Sequence, residues 1–162
     1  MKALWDTVWN SDALYYADWA IADPTIEPTN IGGFQNVDPM SSAIILALYT
    51  DGRLPDSMVG SYGFTTADQF QWHGNLFGIE PDEGPFNSLL WTLERAPLSD
   101  LTGRQAVHFA ADALQILVKN HWCTGFNITY ELVKSESRIT LTIIPLGLSE
   151  ERAYFADLFP LQ

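Results

Sequence analysis

Hydrophobic and polar positions follow three different rhythms along this chain, and each rhythm predicts an element. At the start, "LWDTVW" and "LYYADWAIA" flank "NSDA". In the second piece Ala17, Trp19 and Ile21 fall on one face and Asp18 on the other, which predicts two strands joined by a turn. The stretch "DPTIEPTNIGGFQNVDP" is rich in proline and carries a Gly-Gly pair, so it reads as a connection. Asp38-Pro39 then predicts a helix start: the Asp carboxylate accepts the unpaired N–H groups of the first turn, and Pro has no N–H to leave unpaired. This helix is expected to run to about Thr50, and because "AIILALY" is apolar on nearly all sides it is expected to lie buried at the centre of the fold.

From Asp51 to Pro85 no period persists, yet the segment holds Tyr62, Phe64, Phe70, Trp72 and Phe77. A loop this long inside a compact domain is usually functional or disordered, and so many aromatics argue against disorder. "FNSLLWTLERAP" then places Phe86, Leu89, Leu90 and Leu93 at helical spacing, with Pro97 as the stop. The clearest helix spans about Asp100 to Asn120 with Ser99 as its N-cap. Val107, Ala110, Ala111, Leu114, Leu117 and Val118 form its apolar stripe, widened by Phe109, Ala113 and Ile116, against a polar face of Arg104, His108, Asp112, Gln115 and Lys119. A stripe so broad predicts packing on two sides.

After that helix the rhythm changes to period two. "FNITYELV", "RITLTIIPL" and "RAYFADLF" are three expected strands with a short "KSES" turn between the first two. Phe126, Ile128, Tyr130 and Leu132 share a face of the first strand, as Ile139, Leu141 and Ile143 do in the second. The element order predicts an α+β fold: an antiparallel sheet, made of an N-terminal hairpin and a C-terminal three-stranded meander, covered by about three helices. The 162 residues suit one domain, residues 1–162, with its long loop at about 51–86.

Charge narrows the partners. Eight basic against twenty acidic side chains give a net charge of -12, which repels nucleic acid and the anionic surface of a membrane and suits a basic protein surface, a metal ion or simply solubility. Cys123 is the sole cysteine, so no internal disulfide forms and a reducing cytosol is expected. Asp6 interrupts "MKALWDTVWN" where a secretion signal needs an apolar run, and the seven-residue "AIILALY" falls far short of the roughly twenty residues that cross a bilayer. A soluble protein is expected.

Catalytic patterns are thin. His73, with Asp51, Asp56 and Asp68 near it in sequence, lacks the paired spacing of a metal site, and His108 and His121 lie on the long helix and at its end. No metal or other cofactor is expected. Cys123 and His121 sit two residues apart, a spacing that does not bring a thiol and an imidazole together. Glu80, Asp82, Glu83 and Glu94 offer carboxylates for a peptidoglycan glycosidase, the alternative enzymatic reading, but no spacing singles out an acid and a base. A small binding module that holds a partner through Trp72 and Phe77 is a third reading. Arg95 in "TLERAP" suits either a solvated helix end, where its charge meets the negative pole of the dipole, or an ion pair with an acidic neighbour.

The order of landmarks carries a resemblance. "YADWAIAD", "AIILALYTDGRLPDS", "WHGNLFG", "LLWTLERAPLSDLTGRQAVHFAADALQILV" and "FNITYELVKSESRITLTIIPL", over about residues 12–159, together resemble the Mu-type baseplate protein of contractile-tailed phages, the gene-46 product. They are similar, more distantly, to the gene-25-like baseplate wedge proteins. "LYTDGR" resembles a shortened form of the family's helix-ending turn, while its Glu-Pro-Arg tract is replaced here by "NHWCTGF". The resemblance implies a non-catalytic structural role in the virion, assembled in the host cytoplasm. It also implies contacts with wedge subunits, the tail sheath and tube or hub proteins, and strand pairing with the first sheath ring. The residues expected to face partners are Arg53, Trp72, Phe77, Glu94, Arg95, Trp122 and Arg138.

Overall fold

The computed structural model describes residues 39–70 and 84–160, together with residue 25 and the backbone of residues 8–9 and 17–18. The chain divides into two compact units, Met1–Ile44 and Ile45–Gln162. In the first, β1 (Val8–Trp9) pairs antiparallel with β2 (Ala17–Asp18), Val8 opposite Asp18. The rest of the strand pair expected there lies outside the described residues, as does the Asp38 cap.

Helix α1 (Pro39–Tyr49) begins at the proline the sequence marks. It corrects one expectation. Ser42, Ala43, Ile44, Ala47 and Leu48 are buried, but Leu46 and Tyr49 are exposed, so the helix is not covered on all sides. Tyr49 is exposed because its hydroxyl has a task at the surface, donating to the Asp157 carbonyl at 3.2 Å. Partial burial of the phenol pushes its pKa up.

In the second unit the meander is as expected. The strands β3 (Gly125–Val133), β4 (Arg138–Leu146) and β5 (Tyr154–Leu158) lie in that order, antiparallel throughout. The register sets Leu132 opposite Ile139 and Ile139 opposite Leu158, with Tyr130, Leu141 and Ala156 in the next row. One sheet face therefore carries the apolar set. Ile139, Leu141 and Ile143 of the central strand are fully buried, each worth about 1.5–3 kcal/mol of burial. On the opposite face of β3, Asn127, Thr129 and Glu131 are exposed. The β3–β4 connection is a 3-10 turn, Lys134–Glu136, closed by Ser137 in a left-handed conformation.

Helix α2 (Asp100–Lys119) covers the apolar face, packing on β3 and β4 on one side and on the 3-10 helix Leu90–Arg95 on the other. Ser99 caps it, its hydroxyl accepting from the Thr102 N–H at 3.2 Å. The five expected polar-face residues are all exposed, while Ala110, Ala113, Leu114, Ile116 and Leu117 are buried. Among the described residues the fold is α+β, an antiparallel sheet with three helices.

The segment expected as a helix from Phe86 is helical only over Leu90–Arg95, and then as 3-10. The reason is a competing backbone contact: the Ser88 N–H donates to the Thr50 carbonyl at 2.9 Å and the Gly52 N–H donates to the Ser88 carbonyl at 2.7 Å. Ser88 is thereby held extended beside Asp51 in an isolated parallel bridge. A side chain at Gly52 would press against the backbone of Asn87 and Ser88 at 3.0–3.1 Å, so the turn in "YTDGR" needs its glycine.

Candidate interaction surface

Residues 51–70 form a structured platform rather than a featureless loop. Three 3-10 turns, Asp56–Met58, Ser61–Gly63 and Thr66–Asp68, fold the segment, and Leu54 and Phe64 are buried beneath it. Thr65 and Asp68 make a capping box: the Thr65 hydroxyl accepts from the Ala67 N–H at 3.3 Å, and the Thr65 N–H donates to the Asp68 carboxylate at 2.8 Å. Gln69 ties the platform to its start through the Leu54 carbonyl at 3.3 Å and the Asp56 carboxylate at 2.5 Å. The middle turn exposes Tyr62 in a left-handed conformation between Gly60 and Gly63, both also at positive φ.

The platform is seated on the 3-10 helix by aromatics and one ion pair. Trp91 donates its indole N–H to the Gly52 carbonyl at 3.1 Å, meets Phe64 edge-on at 5.3 Å and lies against Phe70 at 5.2 Å. Arg95 bonds the Asp68 carboxylate at 3.0 Å and covers the Phe64 ring at 4.5 Å. The Thr65 N–H and hydroxyl, and then Arg95, hold the Asp68 pKa below the usual carboxylate range. Burial pushes that of Asp51 up.

Arg95 therefore pairs with an acid of its own chain. Arg138 is likewise engaged internally, to Glu136 at 2.9 Å and to Asp157 at 3.0 Å, while Asp157 also accepts from the Thr140 hydroxyl at 2.7 Å. Arg53 and Glu94 are exposed, and Trp122 is half-buried just past the end of α2. Trp72 and Phe77 lie outside the described residues, as do His73, Glu80, Asp82 and Glu83. Among the described members of the set, Glu94 and Arg95 share the 3-10 helix, whereas Arg53, Trp122 and Arg138 lie in the platform, just past α2 and on β4.

The sequence reading missed several residues that organise this surface. Thr65-x-x-Asp68 is a legible capping pattern, but with no apolar period following it gave no cue. Asp100, Arg104 and Tyr130 form a second cluster: the Tyr130 hydroxyl donates to the Asp100 carboxylate, which Arg104 also pairs at 2.6 Å. The Tyr130 hydroxyl, then Arg104, lower the Asp100 pKa. This cluster pins the start of α2 to β3 beside an open groove of about 320 Å³ lined by Arg104, Val107, Ile128, Thr129 and Tyr130.

Among the described residues no group of three or more His, Cys, Asp or Glu side chains gathers to hold a metal, and no helix is long and apolar enough to cross a membrane. What the described surface does present is strand edge and aromatic area. β3 is a nine-residue edge strand. Phe155 and Phe159, in and just after β5, are 70% and 62% exposed. In comparisons with known proteins, the family model described as phage protein GP46 matches residues 40–152. No curated protein and no solved structure matches the chain.

Proposed function

The chain belongs to the phage protein GP46 family, and from that premise we propose that it is a structural, non-catalytic component of a contractile-tail baseplate. In this reading it sits in the wedge and links wedge subunits near the tail tube to the first sheath ring. Its contacts are protein–protein, including addition of a partner strand to its sheet.

The observation that supports the reading is the edge of the C-terminal sheet. An edge strand exposes a row of backbone N–H and C=O groups that can pair with a strand from another chain, and monomeric proteins normally blunt such edges. Exposed Phe155 and Phe159 add aromatic surface of the kind interfaces bury.

Cross-linking mass spectrometry on intact particles, or on the co-expressed tail operon, tests it. Lys119 and Lys134, exposed at the end of α2 and just past β3, are the reporters. Cross-links from them to sheath or wedge subunits are expected. If neither residue links to any tail protein, the reading fails, and a cell-wall hydrolysis assay becomes the next experiment.

A further inference from the structure

A second groove, of about 440 Å³, lies between α2 and residues 84–87. Its volume falls within the roughly 300–1,000 Å³ of small-ligand sites. Both walls are fixed. Helix α2 packs on the sheet, and residues 84–87 lead into Ser88, whose backbone is bonded to Thr50 and Gly52. Pro85, Ala113, Ile116 and Val118 supply the apolar lining, and Ala113 and Ile116 are its buried part.

The polar lining is rich in donors. Asn87, Gln115 and Lys119 are exposed and, among the described residues, make no side-chain hydrogen bond or ion pair. Asp112, the one carboxylate of the described lining, has His108 at 3.6 Å. Lys119 sits in the last turn of α2, where its charge also suits the negative pole of the helix. Its amine nevertheless lies toward the opposite wall: a methyl built on Gly84, which has a φ of 77°, would stand 3.6 Å from Nζ. An ammonium without an ion-pair partner is thus held beside an apolar floor.

That combination selects a ligand. A single ammonium neutralises one negative charge, whereas a chain of net charge -12 repels multiply charged anions such as phosphates. The apolar lining calls for a short aliphatic group next to that charge. The side-chain amides of Asn87 and Gln115 each offer a donor and an acceptor, which is what a peptide group needs.

We propose that this groove binds the C-terminal residue of a polypeptide. The terminal carboxylate meets Lys119, an aliphatic side chain covers Ala113 and Ile116, and the preceding peptide group pairs with Asn87 or Gln115. This binding involves no strand of the sheet and stands independently of the baseplate reading.

Backbone and side-chain amide NMR spectra of the full chain, titrated with N-acetyl-Ala-Ala-Leu and with its C-terminal amide, test it. The free acid is expected to shift the signals of Asn87, Gln115 and Lys119 saturably, and the amide to bind about tenfold more weakly. Lys119→Met should remove that preference and Lys119→Arg should keep it. Lys134→Met, at an exposed lysine of the β3–β4 turn, should leave it unchanged. Equal binding of acid and amide, or no saturable shift with either, would overturn the proposal. An equal loss of preference in Lys134→Met would overturn it too, because the attraction would then be diffuse. Isocaproate, which carries the carboxylate and the aliphatic group without a peptide, should bind more weakly than the peptide acid. Equal binding of the two would overturn the polypeptide occupant.

Discussion

Gly103 occupies the first turns of α2, although glycine in a helix costs about 0.5–1 kcal/mol relative to alanine. A side chain there would run into the Tyr130 ring, whose hydroxyl is held by Asp100. Gly103→Ala is therefore expected to lower stability by about 1–3 kcal/mol through overpacking, against the gain that propensity alone predicts. Urea unfolding measures it, and a stabilised variant would mean the ring moves aside freely. The aspartates make opposite predictions with pH. Asp68 has a folded pKa below its unfolded one, so its contribution is present at neutral pH and is lost as pH falls through the folded value. Asp51, raised by burial, costs stability while ionised and is relieved as pH falls. Melting curves from neutral to acid pH should show Asp68→Asn below the parent and Asp51→Asn above it at neutrality, with both differences shrinking in acid. Neither aspartate's sign was legible in the sequence, because it depends on which N–H groups and which guanidinium surround the carboxylate.

At the scale of elements, the period and its punctuation carried far. Ser99, Asp100 and the apolar stripe located α2, and alternation located β3 and β4 to within a residue, since local capping and pleat direction depend on near neighbours. The Ser99 hydroxyl also lies 2.9 Å from that of Thr102, which in turn donates to the Pro97 carbonyl at 2.6 Å. Ser99→Ala is expected to cost about 1 kcal/mol and to speed amide exchange in the first turn of α2. Unchanged exchange there would show that Thr102 suffices. The 3-10 helix was legible in position but not in length. Residues 86–89 have helical spacing of apolar side chains, yet the backbone of Ser88 is claimed by Thr50 and Gly52, far away in sequence. The same applies to the platform: Thr65, Asp68, Trp91 and Arg95 look unremarkable in line and acquire their roles only when brought together.

For the whole molecule, the proposed baseplate role together with the charge of -12 predicts that capture of a basic tail partner weakens as salt rises, because charge attraction is screened over about 10 Å at moderate ionic strength. Capture repeated at increasing salt checks this, and salt-independent capture would point to apolar contacts at Phe155 and Phe159 instead. The sequence alone determined the α+β class, the order of elements, the meander and the acidic character. All of these follow from short-range periodicity and composition. The tertiary structure alone decided that Arg95 and Arg138 bind acids of their own chain, and that the Tyr49 hydroxyl reaches the Asp157 carbonyl of β5. Those outcomes rest on contacts between residues as far apart as Tyr49 and Asp157, whose proximity is set by packing and register rather than by any pattern local to either.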